Sequence, residues 1–354
     1  MPIRDTLIGG LGLGFPTFQN RQKAQANTHM RHLIEAFTVV LLCAAGMAVW
    51  AAEPPSRVVR VGYLGINPPP PIGSGRIAQE LAKLGYVDGK NLVLEVRHAG
   101  GHAERLPEAA AELVKLRVDV IFAVTSPAVF AAREATTTIP IVGWGMHGAV
   151  ETGLVSNLRR PGGNITGTDS MAVDLDGKRL ELLKEIVPGL TRLTVLYDLN
   201  DQGSPHHMKN IEAAAKDIGL VVASLTMRQA EDLAALFAAS VGQPLGSVYP
   251  LTSNTIFVNW PRISQFALAN RLPTLCEFRP MAGSGCLLSY GPSLDEITER
   301  SAVQIDRIMR GTPPGELPIE RPTRFELAVN LKTANALGVT VPQSILMRAN
   351  EVIQ

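Results

Sequence analysis

Neither sign of charge is in excess: 33 lysines and arginines stand against 32 aspartates and glutamates in 354 residues. With no basic surplus, nothing favours nucleic acid or an acidic membrane surface as a partner. Aromatic residues are few, at 5% of the chain. No G-x-S-x-G elbow occurs, so the usual serine-hydrolase geometry has no anchor. Metal-ligand spacing is also missing: His98 and His102 flank Ala-Gly-Gly, a loop-like stretch, while His206 and His207 are adjacent at a helix start. Exposed histidines are expected at both places. Charged stretches such as Lys178-Arg179 with Glu181 read as solvated helix surface. Ala36–Val49 is too short for a comfortable bilayer span, and no later segment is long enough.

What is present begins with an export signature. Met30-Arg31-His32-Leu33 supplies a basic start, an apolar run extends to Val49, and Val49-Trp50-Ala51-Ala52 ends in small residues before Glu53-Pro54-Pro55. A signal peptide over 30–52, cleaved near Ala51 or Ala52, is therefore expected, and with it a periplasmic location. Residues 1–29, including the run Gly9–Gly14, match neither signal nor domain and read as an over-extended start or a disordered tail. Cys43 leaves with the signal. Cys276 and Cys286 remain in an oxidising compartment, where two buried thiols are the default and a bridge is the alternative. Removing the signal leaves about 300 residues, enough for two lobes.

Strand and helix patterns then alternate, twice over. Strands are predicted at Val58–Leu64, Leu92–Val96, Asp119–Val124 and Ile139–Val142, with helices over Arg76–Leu84, Glu104–Leu116 and from Ser126-Pro127. The cycle restarts with strands at Leu193–Tyr197, Leu220–Leu225, Ser247–Leu251 and Thr274–Phe278. Helices lie between them, from Ser204-Pro205, over Glu231–Val241 and over Pro261–Asn270. Gly85 and Gly219 occupy equivalent places, which argues for two similar lobes with parallel sheets and right-handed crossovers. A tail follows, with a strand at Cys286–Ser289 and a capping box at Ser293-Leu294-Asp295-Glu296 opening a helix to Met309. Pro313-Pro314 breaks the chain before a strand over Phe325–Leu331. Too short for a third lobe, the tail would cross between the two already built.

Ser126-Pro127 and Ser204-Pro205 each place a hydroxyl at the N-cap and proline at the first helical position. Helix N-termini at the ligand-binding edge of parallel sheets suit a carboxylate. Thr125, Ser126, Trp144, Asp198, Asn200, Tyr249, Glu277 and Tyr290 lie at or just beyond predicted strand ends and are the side chains expected in a cleft, together with Asn67. Tyrosine and tryptophan could stack on an apolar group, Asp198 or Glu277 could pair with an ammonium, and Ser126 could hold an anion. One enzyme-like pattern competes. Gly73-Ser74-Gly75-Arg76-Ile77-Ala78 with Glu95 satisfies a dinucleotide fingerprint. Four prolines, Pro68–Pro71, separate it from the strand and offer no N–H donors. An NAD-dependent oxidoreductase is thus the weaker alternative, and no cofactor or metal is expected.

Several segments carry a resemblance. Arg160–Gly167 (RPGGNITG), Gly177–Glu185 (GKRLELLKE), Leu84–Leu92 (LGYVDGKNL), Ser289–Pro292 (SYGP), Pro322–Leu327 (PTRFEL) and Asn330–Ala334 (NLKTA) resemble ABC-transporter substrate-binding proteins of the tryptophan/tyrosine-type branch. The resemblance runs from about Val58 to the C-terminus. It implies a type I periplasmic-binding-protein fold, α/β, with two Rossmann-like lobes and three crossovers near Thr168–Ser170, Ser289–Gly291 and Phe325–Asn330. Lobe 1 would comprise 57–168 plus 291–325, and lobe 2 169–289 plus 326–354. The function implied is capture of a small molecule between the lobes and delivery to an ABC permease by a monomeric, non-enzymatic receptor, with Tyr290 at the hinge. An exported sensory ligand-binding protein is the alternative within the same fold. Three cleft-facing loops depart from the family pattern, at Ile66-Asn67 with its prolines, at His147-Gly148-Ala149 and at Pro250-Leu251-Thr252. The amino-acid ligand of that branch therefore carries over poorly.

Overall fold

The computed structural model describes residues 57–354, apart from residue 202 and the side chain of Ser74. The reading of 1–52 as an over-extended start and a cleaved signal holding Cys43 lies outside the described residues. The chain alternates β1 (Val59–Gly65), α1 (Ile77–Lys83), β2 (Leu92–His98), α2 (Leu106–Lys115) and β3 (Val120–Val124). Next come α3 (Thr125–Ala135), β4 (Ile141–Met146) and β5 (Ile165–Asp169). After α4 (Asp176–Ile186) the cycle restarts with β6 (Arg192–Asp198), α5 (Ser204–Asp217), β7 (Val221–Met227), α6 (Asp232–Ser240) and β8 (Ser247–Pro250). Then follow α7 (Asn254–Val258), α8 (Trp260–Ala269), β9 (Leu275–Cys276), α9 (Arg279–Gly283) and β10 (Leu288–Pro292). The tail supplies α10 (Leu294–Met309), β11 (Ile319–Glu320), β12 (Phe325–Asn330), α11 (Leu331–Leu337), α12 (Gln343–Arg348) and β13 (Glu351–Ile353).

Two sheets result. The first has the order β11-β5-β4-β3-β1-β2 and is parallel throughout. All of β3 and β4 is buried, as continuous apolar strands covered on both faces must be. The second sheet comes in two pieces, β7-β6-β8 and β13-β12-β10-β9, joined by a parallel bridge between Val248 and Thr274. One pairing breaks the parallel rule: β12 runs antiparallel to β10. The α/β alternation with parallel sheets is therefore as the sequence predicts. Thr274–Phe278 yields only a two-residue strand, because the chain turns into α9 at Arg279.

The tail serves both sheets. Helix α10 packs on α1, β4 and β5, and β11 extends the first sheet beside β5. Strands β10 and β12 lie wholly within the second sheet. The chain therefore changes sheets in three places: after Asp169, at Ser293, and between Glu320 and Phe325. Two of these fall just outside Ser289–Gly291 and Phe325–Asn330, because antiparallel pairing of β10 with β12 keeps those residues in one ladder.

The predicted caps need correction. Ser126 and Ser204 are the second and first residues of their helices, preceded by Val124 and Gly203 as N-caps without side-chain capping bonds. Ser126 Oγ instead accepts from His147 N at 3.0 Å, and Ser204 Oγ donates to Asp198 O at 3.1 Å. At α10 half of the capping box forms: Ser293 Oγ accepts from Glu296 N. The Glu296 carboxylate does not reach back. It accepts from Arg324 N at 2.7 Å, Thr323 N at 3.1 Å and Arg300 Nη2 at 2.7 Å. Burial works against its charge, yet those donors hold the Glu296 carboxyl down to about 2. Glu296 thus anchors the return passage from the first sheet to the second.

Cys276 and Cys286 are joined by a disulfide, with Cα atoms 6.4 Å apart, so the default of two free thiols is overturned. Both are fully buried, and the bond ties the end of β9 to the entry of β10. Closing a loop of sequence separation 10 should stabilise the fold by about 2.5 kcal/mol through the unfolded chain. Replacing both cysteines by serine is expected to lower the melting temperature by several degrees while leaving the circular dichroism spectrum native. Identical melts with and without reductant would contradict this.

A chamber between the two sheets

Strand β3 runs directly into α3 with no intervening loop. The turn is possible only because Thr125 adopts φ +67°, a left-handed conformation rare for a β-branched residue. Strain of this kind, about 1–3 kcal/mol, is characteristically stored at binding sites. Here it places Thr125 in the wall of a chamber of about 40 Å³, part of it open to solvent. Thr125 is 9% exposed and its Oγ1 has no hydrogen-bond partner. The first-turn N–H groups of α3 at this corner have no acceptor within their own helix.

Both sheets contribute walls. From the first come Val124, Trp144, Gly145 and His147, with Leu294 and Ile297 of α10. The second supplies Thr252, Ser253, Asn254, Phe257 and Phe278, and Ser170 enters from the first passage. Trp144 Nε1 is already engaged, donating to Thr298 Oγ1 at 2.9 Å, which fixes the indole against α10. The loop Pro68–Ile72 closes one side through Pro70 and Ile72. Two polar contacts hold the bodies together across the gap. Asn67 Nδ2 donates to Asn254 Oδ1 at 2.7 Å, and His147 Nδ1 lies 3.6 Å from Asp201 Oδ2.

The nine residues expected in the cleft are distributed unevenly. Thr125 and Trp144 line the chamber, and Asn67 stands at its edge through Asn254. Ser126 is buried behind the wall with its hydroxyl committed to His147. Asp198 and Glu277 form a second layer: Asp198 Oδ2 accepts from Ser253 Oγ at 3.1 Å, and Glu277 Oε1 from Thr252 N at 3.0 Å. Asn200 turns away, bonded to Arg228 O and facing a separate surface hollow. Tyr249 and Tyr290 belong to the junction of the sheets. The sequence reading missed Ser253 and Asn254, although Ser253, three residues beyond β8, caps α7 by accepting from Ile256 N at 3.1 Å, the signature sought at Ser126.

The dinucleotide pattern is disposed of by its own glycine. A Cβ built on Gly75 would lie 1.5 Å from Pro70 O, so the proline loop folds flat onto the backbone a pyrophosphate would need. Glu95 pairs with Arg60 at 3.3 Å on β2.

At the junction of the sheets lies a buried charge cluster. Arg179 is completely buried, contrary to the expectation of a solvated face, because Asp176, Arg179, Leu180 and Leu183 share the inward stripe of α4. Its Nη1 donates to Ala172 O, to Tyr249 Oη at 3.0 Å and to Asp176 Oδ1 at 3.3 Å; Nε donates to Tyr290 O at 2.7 Å. Ala172 lies in the first passage and Tyr290 just ahead of the second. Burial works against the guanidinium charge, but Tyr249, Glu277 and Asp176 outweigh it and raise its pKa. His207 is also buried, not exposed, with Nε2 2.9 Å from Asp176 Oδ2. Its partner Asp176 sits one helix away, which no spacing in the chain reveals. His206 remains at the surface, lining a shallow polar hollow. Among the described residues no group of three or more candidate ligands could hold a metal ion.

Against known proteins, the profile of the family described as ABC transporter substrate binding protein matches residues 73–353. A tyrosine-binding protein from Clostridioides difficile is 27% identical over 256 residues, 72% of this chain and 73% of that protein. Among solved structures, a conserved domain protein from Vibrio cholerae superposes with TM-score 0.77 at 25% identity, covering 84% of this chain and all of its own. An ABC domain bound to L-Trp from Streptococcus pneumonia gives TM-score 0.77 at 22% identity, with the same coverage.

The His207 site carries a pH signature. Burial disfavours the imidazolium, but Asp176 outweighs it and raises the pKa above the ordinary value. That stabilisation is complete below about 6.5, the unfolded value, and is lost as pH rises through the folded value. Thermal melts between pH 5.5 and 8.5 should therefore show the stability advantage of the native chain over His207→Gln shrinking as pH rises. A constant difference across that range would mean the pair does not titrate as described.

Proposed function

The chain belongs to the ABC transporter substrate-binding proteins, and we propose that it is an extracytoplasmic receptor that captures one small molecule between its two bodies and delivers it to a membrane permease. The observation that carries this reading is the enclosed chamber whose walls come from both sheets. Contacts from the two bodies coexist only when the cleft is shut, so a bound molecule favours the shut form. The three passages, after Asp169, at Ser293 and between Glu320 and Phe325, form the hinge on which the first sheet and its helices move against the second. No reaction is assigned. The chamber's work is binding.

The polar corner of the chamber takes the ligand's anionic end. Thr125 Oγ1, buried and unpartnered, donates there beside the N–H groups of α3. Thr125 replaces Ser126 in this role, because Ser126 is spent on His147. A carboxylate ligand fits this corner, a group shared by the ligands for which two relatives are named, tyrosine and L-Trp. Export through the signal at 30–52, with cleavage near Ala51 or Ala52, is supported by the disulfide, which persists in an oxidising compartment. Among the described residues no helix is long and apolar enough to cross a membrane. A monomer suffices, since one chain supplies both walls.

Native mass spectrometry of the purified protein, followed by analysis of compounds released on unfolding, is expected to find one stoichiometric small molecule. A preparation that neither carries nor binds any solute from a metabolite pool would end the receptor reading. Thr125→Val keeps the side-chain shape and removes the donor. It is expected to weaken binding about fivefold to tenfold, the worth of one hydrogen bond, with an unchanged melting temperature of the empty protein. Unaltered affinity would remove Thr125 from the anion corner.

A further inference from the structure

We propose that the ligand is an aromatic carboxylate lacking an ammonium group, so that free α-amino acids are poor ligands for this chain. This rests on the receptor reading above and narrows it. The chamber walls contain one ionisable side chain, His147, and no aspartate, glutamate, lysine or arginine. An ammonium taken from water into such a space loses its hydration and needs a counter-charge or a full set of acceptors.

The neighbouring carboxylates do not provide one. Asp198, 1% exposed, stands behind Ser253 with one oxygen accepting from Asn200 N at 2.9 Å and the other from Ser253 Oγ. Burial raises the pKa of its carboxyl from the ordinary aspartate value. Glu277 is wholly buried behind Thr252, whose N–H it accepts; its other oxygen has no partner but lies outside the chamber lining. Asp201 accepts from Gly203 N at 2.9 Å and faces His147. On the wall, Asn254 Oδ1 already accepts one hydrogen bond, from Asn67 Nδ2. Reaching any of these acids would mean dismantling the wall that contains the ligand.

The opposite requirement is met. An anion finds the free Thr125 hydroxyl, the N-terminus of α3 and the buried His147 at one corner. An apolar body finds Trp144, Phe257, Phe278, Leu294 and Ile297. Charge complementarity in this chamber is thus one-sided.

Two isosteric series separate the charges: L-tryptophan, indole-3-propionate and tryptamine, and L-phenylalanine, 3-phenylpropionate and phenethylamine. Calorimetric titration of the whole protein, freed of bound solute, is expected to show at least one propionate binding on the order of a hundredfold or more tighter than its amino-acid and amine counterparts. An amino acid that binds as tightly as its propionate, or tighter, overturns the inference. Silence from all six compounds also overturns this ligand class. The receptor reading itself is judged separately, by the compound that co-purifies with the protein.

Discussion

Everything at the junction of the two sheets depends on one buried cation. Arg179 has no access to water; its Nη1 and Nε donate to Ala172 O in the first passage, Tyr290 O beside the second, and the Tyr249 and Asp176 side chains, while Nη2 has no hydrogen-bond partner. A buried charge is tolerated only in such a setting, because losing one partner leaves the others unpaired at a cost of several kcal/mol. The arrangement therefore demands a fixed geometry where the chain changes sheets. Gly291 reflects the same constraint: a Cβ there would sit 1.8 Å from Glu277 O and 3.3 Å from Arg179 Nη2. Glu296 performs the matching task for the third passage by gathering the N–H groups of Thr323 and Arg324.

The cleft is held more lightly than the junction. Across the gap the polar contacts described are single, at Asn67–Asn254 and His147–Asp201, and one hydrogen bond contributes only about 1 kcal/mol net. Weak closure in the empty state leaves the ligand to decide the balance between open and shut forms. The strained turn at Thr125 belongs to the same economy of parts, since it aims a donor into the chamber without any loop that must first be ordered.

The architecture was largely legible in the sequence. Apolar runs with period-two or helical spacing, punctuated by Gly85 and Gly219, located most strands of the two sheets and the longer helices between them, but not β5, β11, β13 or the short helices α7, α9, α11 and α12; the Gly177–Glu185 and Ser289–Pro292 segments pointed to the family. The site was far less legible. Thr125 and Trp144 could be found because they end strands. Ser253, Asn254 and Phe257 could not, because what brings them to Thr125 is the packing of two separate sheets. Arg179 and His207 were misread for a related reason: charged residues on a helix are ordinarily solvated, and only their partners Asp176, Tyr249 and Tyr290, distant in sequence or on another element, make burial permissible.

The proline loop Pro68–Pro71 has a consequence for recognition kinetics. Ring closure fixes four successive φ angles, and its seat on Gly75 pins the loop to the backbone below. The rim it forms keeps one shape whether the vestibule is vacant or filled, so arriving molecules meet a prefabricated edge instead of a wriggling flap. Discrimination there is steric and immediate, and little conformational entropy is lost at the rim when a guest settles.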